Sequence, residues 1–411
     1  MDVEKRINEL ADKARFAAGE LRKLTTEEKN AVLLEIAAEL EKNRAAIEVA
    51  NAADCAAGAA AGLTAAFIDR LTLTPARFDA MVSGVRDVVK LPDPVGTVLE
   101  RRTRPSGITI EKIREPLGVI AVVFESRPNV FIDTAALCLK SGNAIILRGG
   151  KEAIRSNTAL AEAVSTALAS VSARVGKDVT QAVQFVDFTD HAAVRALVRA
   201  VGKIDVAIPR GGERLIRAMC EAALIPVLKH YKGVCHEYVD EKADLAMALA
   251  ILDNAKCQRP SACNAVECLL LHEKVAPLFI RMVEAWAKDR QVTLHFPEAV
   301  ADWSAEFLAF ELNIGIVKNV TEAIRHINNY GSHHSDCIVT QDEAAAAEFL
   351  RDVDSACVYH NVSTRFTDGA EFGLGAEIGI STDKLHARGP MGLEELTTYK
   401  YRVTGDGIIR K

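Results

Sequence analysis

Apolar and polar residues follow a helical pattern through the first ninety residues of the chain. Between residues 33 and 40 the apolar positions recur three or four residues apart, as one face of a helix requires. Thr25 and Glu28 have the spacing of a capping box, and Thr74 precedes Pro75 as an N-cap precedes a first-turn proline. The region therefore predicts a set of helices.

From residue 118 onward, short apolar runs alternate with helical segments. Runs rich in β-branched residues predict strands at 118–124, 144–148, 182–187 and 205–209, separated by helices at 131–140, 152–169 and 191–201. After Pro226 the alternation resumes, with strands at 237–240, 266–271, 314–318 and 336–340 and helices at 242–255 and 275–288. Buried strands separated by helices predict parallel sheets that are covered on both faces.

Two further stretches, 107–115 and 396–405, alternate apolar and polar residues and predict half-exposed strands. The whole pattern predicts an α/β protein of two lobes with parallel-rich sheets. A strand pair drawn from distant parts of the chain completes the architecture.

Composition narrows the class of protein. The formal net charge of −6 over 411 residues argues against a general nucleic-acid surface, although a local basic site for an anion remains compatible with it. The stretch after Met1 lacks the apolar core of a signal peptide, and no run is long enough to cross a membrane. We therefore expect a cytoplasmic protein with no membrane or nucleic-acid partner.

Three of the nine cysteines fall within CQRPSACNAVEC, residues 257–268. No CxxC pair occurs in the chain, which disfavours zinc ribbons and dithiol redox sites and favours free thiols in a reducing compartment. Cys263 follows a turn, where backbone donors and Lys256 or Arg259 can stabilise a thiolate. From the residues alone, a nucleophile and a buried apolar thiol are equally good interpretations of Cys263, whereas Cys268 is typical of a core.

Other polar motifs are weaker. Glycines follow the predicted strands at 149–150 and 211–212, beside Arg148 and Arg210, and fit either phosphate binding or ordinary turns. No GxGxxG fingerprint follows the first strand of either lobe. His333 and His334 fit a polar turn better than a metal site, and we expect no metal.

Several segments together resemble the gamma-glutamyl phosphate reductase family of the aldehyde dehydrogenase superfamily. They are residues 114–130, 136–153, 208–216, 258–265, 317–339, 363–382 and 387–401, so the resemblance runs from end to end. It implies an aldehyde dehydrogenase-like fold. In that fold residues 1–106 and 116–226 form the cofactor-binding lobe, 227–385 the catalytic lobe, and 107–115 with 386–411 the oligomerisation strands.

The resemblance also implies an activity. Members reduce L-glutamyl 5-phosphate with NADPH to L-glutamate 5-semialdehyde and phosphate, the second step of proline biosynthesis. Cys263 takes the place of the nucleophile that forms a thioester. Asn129 takes that of a donor to the oxyanion, although counting back from Gly142 and Asn143 without a gap reaches Glu125 instead.

For the cofactor, the resemblance implies Arg148 near a 2′-phosphate, Gly211 and Gly212 against the pyrophosphate and Glu306 at the nicotinamide ribose. An arginine suits the 2′-phosphate because its planar fork binds phosphate through two bonds. We therefore expect NADPH/NADP+ as the cofactor. The glutamate base of hydrolytic relatives has no counterpart in residues 227–240, so we expect the thioester to be protected from water.

Substrate binding needs cations, and Arg127 and Arg365 are candidates for the α-carboxylate, with a surface role as the alternative for each. Lys229 and His230 are suited to the leaving phosphate. The resemblance implies a homodimer or homotetramer, with functional coupling to the upstream glutamate kinase. Two other functions compete: an acyl-CoA-dependent semialdehyde dehydrogenase and a catalytically silent dinucleotide-binding protein.

Overall fold

The structure, a computed structural model, describes residues 2–410. The chain forms two compact units. The first extends to Leu228 and also includes Leu374–Gly379 and the segment from Met391 onward, while the second comprises Lys229–Gly373 and Ile380–Pro390. No helix within residues 2–410 is long and apolar enough to cross a membrane.

Five helices open the first unit: α1 (Val3–Leu21), α2 (Thr26–Lys42), α3 (Arg44–Ala60), α4 (Ala65–Leu71) and α5 (Pro75–Lys90). The capping box predicted at the start of α2 is confirmed, since Thr25 and Glu28 each accept the other's backbone N–H. The Thr74 side chain likewise caps α5, with Pro75 in its first turn.

A four-stranded sheet forms the centre of the first unit. After β1 (Val98–Thr103) and β2 (Thr109–Pro116) come β3 (Val119–Phe124), α6 (Asn129–Lys140), β4 (Ala144–Arg148), α7 (Ile154–Val175), β5 (Val183–Phe185), α8 (Ala192–Leu197), β6 (Val206–Arg210) and α9 (Glu213–Ala222). The strand order is β5-β4-β3-β6, and all pairs are parallel. Every residue of β3 and β4 is buried, which confirms the prediction from their apolar runs.

The second unit contains a six-stranded parallel sheet, ordered β12-β11-β7-β8-β10-β9. Its elements are β7 (Cys235–Val239), α10 (Leu245–Cys257), β8 (Val266–His272), α11 (Ala276–Arg290), β9 (Thr293–His295), β10 (Glu311–Val317), α12 (Val320–Tyr330), β11 (Ser335–Val339), α13 (Glu343–Asp352) and β12 (Cys357–His360). Helices α10 and α11 contribute to the core on one face, and α12 and α13 to a second core.

The remaining strands lie near the carboxyl end: β13 (Gly379–Ser381), β14 (Gly389–Met391) and β15 (Thr397–Thr404). Strands β13 and β14 form a two-stranded sheet. Strand β15 pairs antiparallel with β2, and β1 pairs with the other edge of β2. The sequence predicts β2 and β15 but not β1, because β1 has the charged sequence VLERRT and exposes all six of its residues.

Candidate active site

Cys263 lies on a turn-rich loop between the end of α10 and the start of β8, and its side chain is partly buried. Its neighbour Asn264 fastens the loop to residues 364–367. The Asn264 amide donates to the carbonyl of Thr367 at 2.8 Å, and the Thr364 hydroxyl donates to the carbonyl of Asn264 at 2.6 Å. The loop that presents the thiol is therefore held by buried polar contacts.

Gly233 packs directly against the backbone of Cys263. A Cβ added at Gly233 would lie 1.8 Å from the Cys263 carbonyl oxygen and 2.7 Å from its Cα, so only glycine fits. The Gly233 N–H donates to Glu306 Oε1 at 2.7 Å, and the Cys235 thiol donates to the Cys263 carbonyl at 3.3 Å. Glu306 thus anchors the segment that supports the Cys263 backbone.

A buried ion pair joins the two ends of the Cys263 loop. Lys256, near the end of α10, lies 2.6 Å from Glu267 Oε2 in β8, and neither side chain is exposed to solvent. Burial lowers the pKa of Lys256 and raises that of Glu267 to about 7, and each partner opposes the shift of the other. Lys256 therefore neutralises Glu267, and the structure assigns its charge there rather than to a thiolate as the sequence had suggested.

Arg365 belongs to the surroundings of the Cys263 loop. Its Nε donates at 2.9 Å to Oε1 of Gln258, which lies five residues before Cys263 in the chain. Burial lowers the pKa of Arg365 and the charge of Arg259 lowers it further, whereas Cys263 raises it. The Arg365 guanidinium is thus close enough to Cys263 for the two to interact electrostatically, an environment that favours a thiolate.

His230 and Lys229 begin the second unit. His230 Nδ1 lies 2.9 Å from the carbonyl oxygen of Ile380, and its ring centroid is 5.7 Å from that of His334. Burial and, to a smaller extent, the charge of His230 together lower the pKa of His334 to about 3. Lys229 forms an ion pair with Asp383 at 3.0 Å. The positive charge that we expected to bind an anionic leaving group is therefore partly balanced by this carboxylate.

Asn129 is the first residue of α6 in the first unit. Its amide donates to Asp133 Oδ2 at 2.8 Å. Burial raises the pKa of Asp133 to about 6, while this hydrogen bond and the charge of Arg210 act in the opposite direction. Arg127 lies two residues earlier, exposed, in a turn where its N–H donates to the Glu125 carbonyl at 2.7 Å.

A basic cavity of about 560 Å³ lies beside the end of β4 in the first unit. Arg148 forms part of its wall and is only 7% exposed. One Arg148 nitrogen, Nη2, donates to the carbonyl of Thr189 at 3.3 Å, but Nε has no hydrogen-bond partner. The other basic residues of the wall are His191, Arg195, Arg199 and Arg214. An orphaned guanidinium N–H among further arginines fits an anionic ligand.

Gly211 and Gly212 connect β6 to α9, and Gly212 is the N-cap of that helix. The Gly212 N–H donates to Glu125 Oε2 at 2.9 Å. A Cβ on Gly211 would lie 2.6 Å from the Glu125 carboxyl carbon, so this glycine permits the close approach. The N-terminus of α9 therefore binds the Glu125 carboxylate through the Gly212 N–H, which is the donor that a phosphate would also use.

Comparisons with known proteins agree with this arrangement. A model of the aldehyde dehydrogenase family matches residues 2–301. A gamma-glutamyl phosphate reductase from Carboxydothermus hydrogenoformans is 50% identical over 98% of each chain, and one from Moorella thermoacetica is 48% identical over the full length of both. The crystal structure of gamma-glutamyl phosphate reductase from Thermotoga maritima has a TM-score of 0.95 at 41% identity, covering 98% of this chain and 100% of that one.

The chain belongs to the gamma-glutamyl phosphate reductase family. As a member of that family it is an oxidoreductase with the aldehyde dehydrogenase-like fold. It uses a nicotinamide cofactor and acts on a small-molecule substrate. The predicted fold class and the resemblance drawn from the sequence are both confirmed.

Within this reductase-family chain, the structure groups the predicted residues by unit. Glu306 and Arg365 lie beside the loop that carries Cys263 in the second unit. Arg148 lies at a separate basic cavity of the first unit. Sequence reasoning missed the close packing of Gly233 and the arginines at positions 195 and 214. The signals for these arginines were local: Arg195 comes four residues before Arg199, as on one face of a helix, and Arg214 follows the glycines after a predicted strand.

Proposed function

We propose that this chain catalyses the NADPH-dependent reduction of L-glutamyl 5-phosphate to L-glutamate 5-semialdehyde and phosphate through a thioester on Cys263. The observation that carries the proposal is the Cys263 loop, held by Asn264 and Gly233 and lying beside Arg365. Its end-to-end similarity to proteins named gamma-glutamyl phosphate reductase supplies the substrate.

In the first half-reaction, the Cys263 thiolate attacks the acyl carbon of the substrate. The positive charge of Arg365 favours the thiolate. A tetrahedral oxyanion forms and needs hydrogen-bond donors; the backbone N–H of Cys263 is one candidate, and Asn129 stays a prediction. Phosphate then leaves with the electron pair of its C–O bond, and the acyl group remains on sulfur as a thioester.

In the second half-reaction, the thioester carbon is reduced and the aldehyde is released as sulfur departs. The cofactor supplies the hydride for this step. Neither carboxylate of residues 227–240 is available as a base, since Glu237 is enclosed in the core and Asp240 accepts from Tyr238 and Thr340. Without a base to activate water, the thioester persists until it is reduced.

The first unit supplies residues that suit NADPH. In the basic cavity, Arg148, Arg195 and Arg214 would hold the 2′-phosphate, because arginine binds phosphate through paired N–H groups. Gly211 and Gly212 would receive the pyrophosphate once Glu125 vacates the Gly212 N–H. Glu306 stays a prediction for the nicotinamide ribose, in addition to its observed bond to Gly233.

Substrate recognition follows from charge. Arg365 is the stronger candidate for the α-carboxylate, because it lies beside the nucleophile loop, and Arg127 stays a prediction. His230 stays a prediction for the leaving phosphate, and replacing it with Ala tests the role through the Michaelis constant for phosphate. Lys229 is a weaker candidate than His230 for binding the phosphate, because Asp383 balances its charge.

The test uses the reverse direction, because the acyl phosphate is unstable. Reduction of NADP+ by glutamate 5-semialdehyde is followed with and without inorganic phosphate, in wild type and in Cys263→Ala. The matched control is Cys257→Ala, which removes a partly buried thiol six residues earlier. We expect phosphate-dependent turnover in the wild type and in Cys257→Ala, and its loss in Cys263→Ala.

The other outcomes separate the alternatives. Turnover without phosphate would mean that water completes the reaction and that the account of the missing base is wrong. Turnover with coenzyme A in place of phosphate would favour the acyl-CoA-dependent enzyme. If Cys263→Ala changed nothing, the thiol would not be the nucleophile.

Cofactor preference has its own test in the basic cavity. Arg195 and Arg214 are exposed and line its wall, so replacing both with Ala should lower kcat/KM for NADPH by about tenfold or more and leave NADH little changed. Arg217→Ala is the matched control, because Arg217 lies on α9 beside Arg214 but pairs with Glu213. An equal loss with both cofactors would remove these arginines from 2′-phosphate recognition.

We also propose that copies of the chain assemble through the sheet of β1, β2 and β15 as a homodimer or homotetramer. Strand β15 exposes seven of its eight residues, including apolar and aromatic ones.

Coupling to the kinase that makes the acyl phosphate stays a prediction, and co-elution of the two purified proteins would test it.

A further inference from the structure

A cluster of potential metal ligands lies on the face of the second unit's sheet that carries α12. Strands β7 and β8 are neighbours, and their register places His236 opposite Cys268. Helix α12 brings His326 to the same place, where Cys268 Sγ lies 3.9 Å from His326 Nε2. One ligand atom from each of the three residues falls within 4.8 Å of the others.

His236 is held in the orientation that a metal ligand requires. Its Nδ1 lies 3.0 Å from Asp336 Oδ1, so the N–H on that nitrogen donates to the carboxylate. Its other nitrogen, Nε2, is buried without a hydrogen-bond partner, although the residue has no exposure to solvent. Asp336 is itself fixed by the backbone N–H of His236 and the hydroxyl of Ser355. A carboxylate behind a histidine is the usual second layer of a zinc site.

Two aromatic rings hold His326 in place. The rings of Trp303 and Tyr330 each lie 4.8 Å from the ring of His326.

We propose that His236, Cys268 and His326 form a zinc-binding site in the second unit. One thiolate and two imidazoles are ligands that Zn²⁺ prefers, and three protein ligands leave a fourth position for water. His326 is only partly buried, which gives water a route to that position. Zinc would tie β7, β8 and α12 together and would stabilise the unit through binding to the folded state alone.

This site is separate from the proposed reaction. Cys268 lies on the strand that follows the Cys263 loop, but its side chain belongs to a buried core. The zinc site and the reductase activity can therefore be tested independently, because the absence of one does not imply the absence of the other.

Cobalt(II) is the probe, because it takes the place of Zn²⁺ and absorbs visibly when bound to thiolate. The full-length chain with Cys263→Ala is treated with a chelator, desalted and titrated with Co²⁺, so that the reactive thiol does not compete. We expect one equivalent to bind, with a thiolate-to-cobalt band that Zn²⁺ abolishes. Binding should also release protons, since the ligands must be deprotonated.

The variants assign the band. Cys268→Ser should remove it, His326→Gln should raise the Kd for Co²⁺ at least tenfold, and Asp336→Asn should raise it about 10–100-fold. Cys337→Ser is the matched control, because Cys337 is equally buried but belongs to the opposite core. Absence of the band in the parent chain, or its persistence in Cys268→Ser, would overturn the proposal. Since His326 is half-buried, His326→Gln decides the matter if Cys268→Ser does not fold.

Discussion

At the scale of single residues, Glu237 occupies an unfavourable position in the second unit. It lies in the middle of β7 with no solvent exposure, and both carboxyl oxygens lack hydrogen-bond partners. Burial raises its pKa well above the usual range. Glu237→Met removes the unpaired polar group at similar length, so it should raise the free energy of unfolding by about 1–3 kcal/mol at pH 8.

The gain at Glu237 should depend on pH. The unfolded carboxyl ionises above about pH 4, while the folded one stays protonated, so Glu237 lowers stability progressively as pH rises between the two pKa values. Urea unfolding at pH 5 and pH 8 should therefore show the larger gain for Glu237→Met at pH 8. Glu273→Met, at an exposed position of the same unit, is the control. A gain independent of pH would mean that Glu237 is ionised in the folded state.

Gly233 is a second residue whose replacement should have a clear effect. A methyl group there would meet the carbonyl oxygen of Cys263, so Gly233→Ala must displace the nucleophile loop. We expect turnover to fall about 100-fold, the loss that a displacement near 1 Å can cause. Gly84→Ala is the control, since a methyl at that helical glycine meets nothing within 4 Å. Unchanged turnover in Gly233→Ala would show that the loop accommodates the methyl group without moving Cys263 from its reactive position.

The residue scale also shows what sequence could predict. The motif around Cys263 pointed to a thiol in a turn because the turn residues are its direct neighbours in the chain. The partner of Lys256 and the contact of Gly233 with Cys263 depend on chain segments that meet only after folding. His236, Cys268 and His326 lie on three different elements, so no spacing rule could have brought them together.

At the scale of elements, the ion pair of Lys256 and Glu267 fixes α10 to β8 at the base of the Cys263 loop. Lys256→Met leaves a buried carboxylate without its cation and should cost about 3–5 kcal/mol of unfolding free energy. Protonation relieves that carboxylate, so the loss should be smaller at pH 5 than at pH 8. Urea unfolding of Lys256→Met and of the double variant with Glu267→Met tests this.

The double variant is the informative comparison. The double variant replaces both charges with apolar side chains and leaves no unpaired group. We therefore expect it to recover most of the unfolding free energy that Lys256→Met loses. If the double variant is as unstable as Lys256→Met, packing rather than charge accounts for the loss.

Elements differ in how well their sequences specify them. Strands β3 and β4 are buried on both faces, so an uninterrupted apolar run identifies them. Strand β1 is exposed along its whole length, and its charged sequence gives no such signal. It forms a strand because β2 offers it a free edge, which is a tertiary cause.

At the scale of the whole molecule, the sheet of β1, β2 and β15 has an unusual surface. Tyr399, Tyr401 and Val403 alternate along β15 and therefore share one face, and each is about half exposed. A row of apolar residues beside an unpaired strand edge is costly in a monomer and is typical of an assembly surface. The proposed assembly of copies rests on this row.

Charge placed on that row should dissociate the assembly. We expect the wild type to exceed the 44.4 kDa mass of one chain in light scattering after size exclusion, and the double variant Tyr401→Glu, Val403→Glu to fall to that mass. Thr398→Glu puts the same charge on the opposite face of β15, where it is also exposed, and should leave the mass unchanged. A monomeric wild type would exclude assembly by any surface. Loss of assembly in Thr398→Glu as well would instead indicate pairing through the β15 edge, because such pairing involves both faces of the strand.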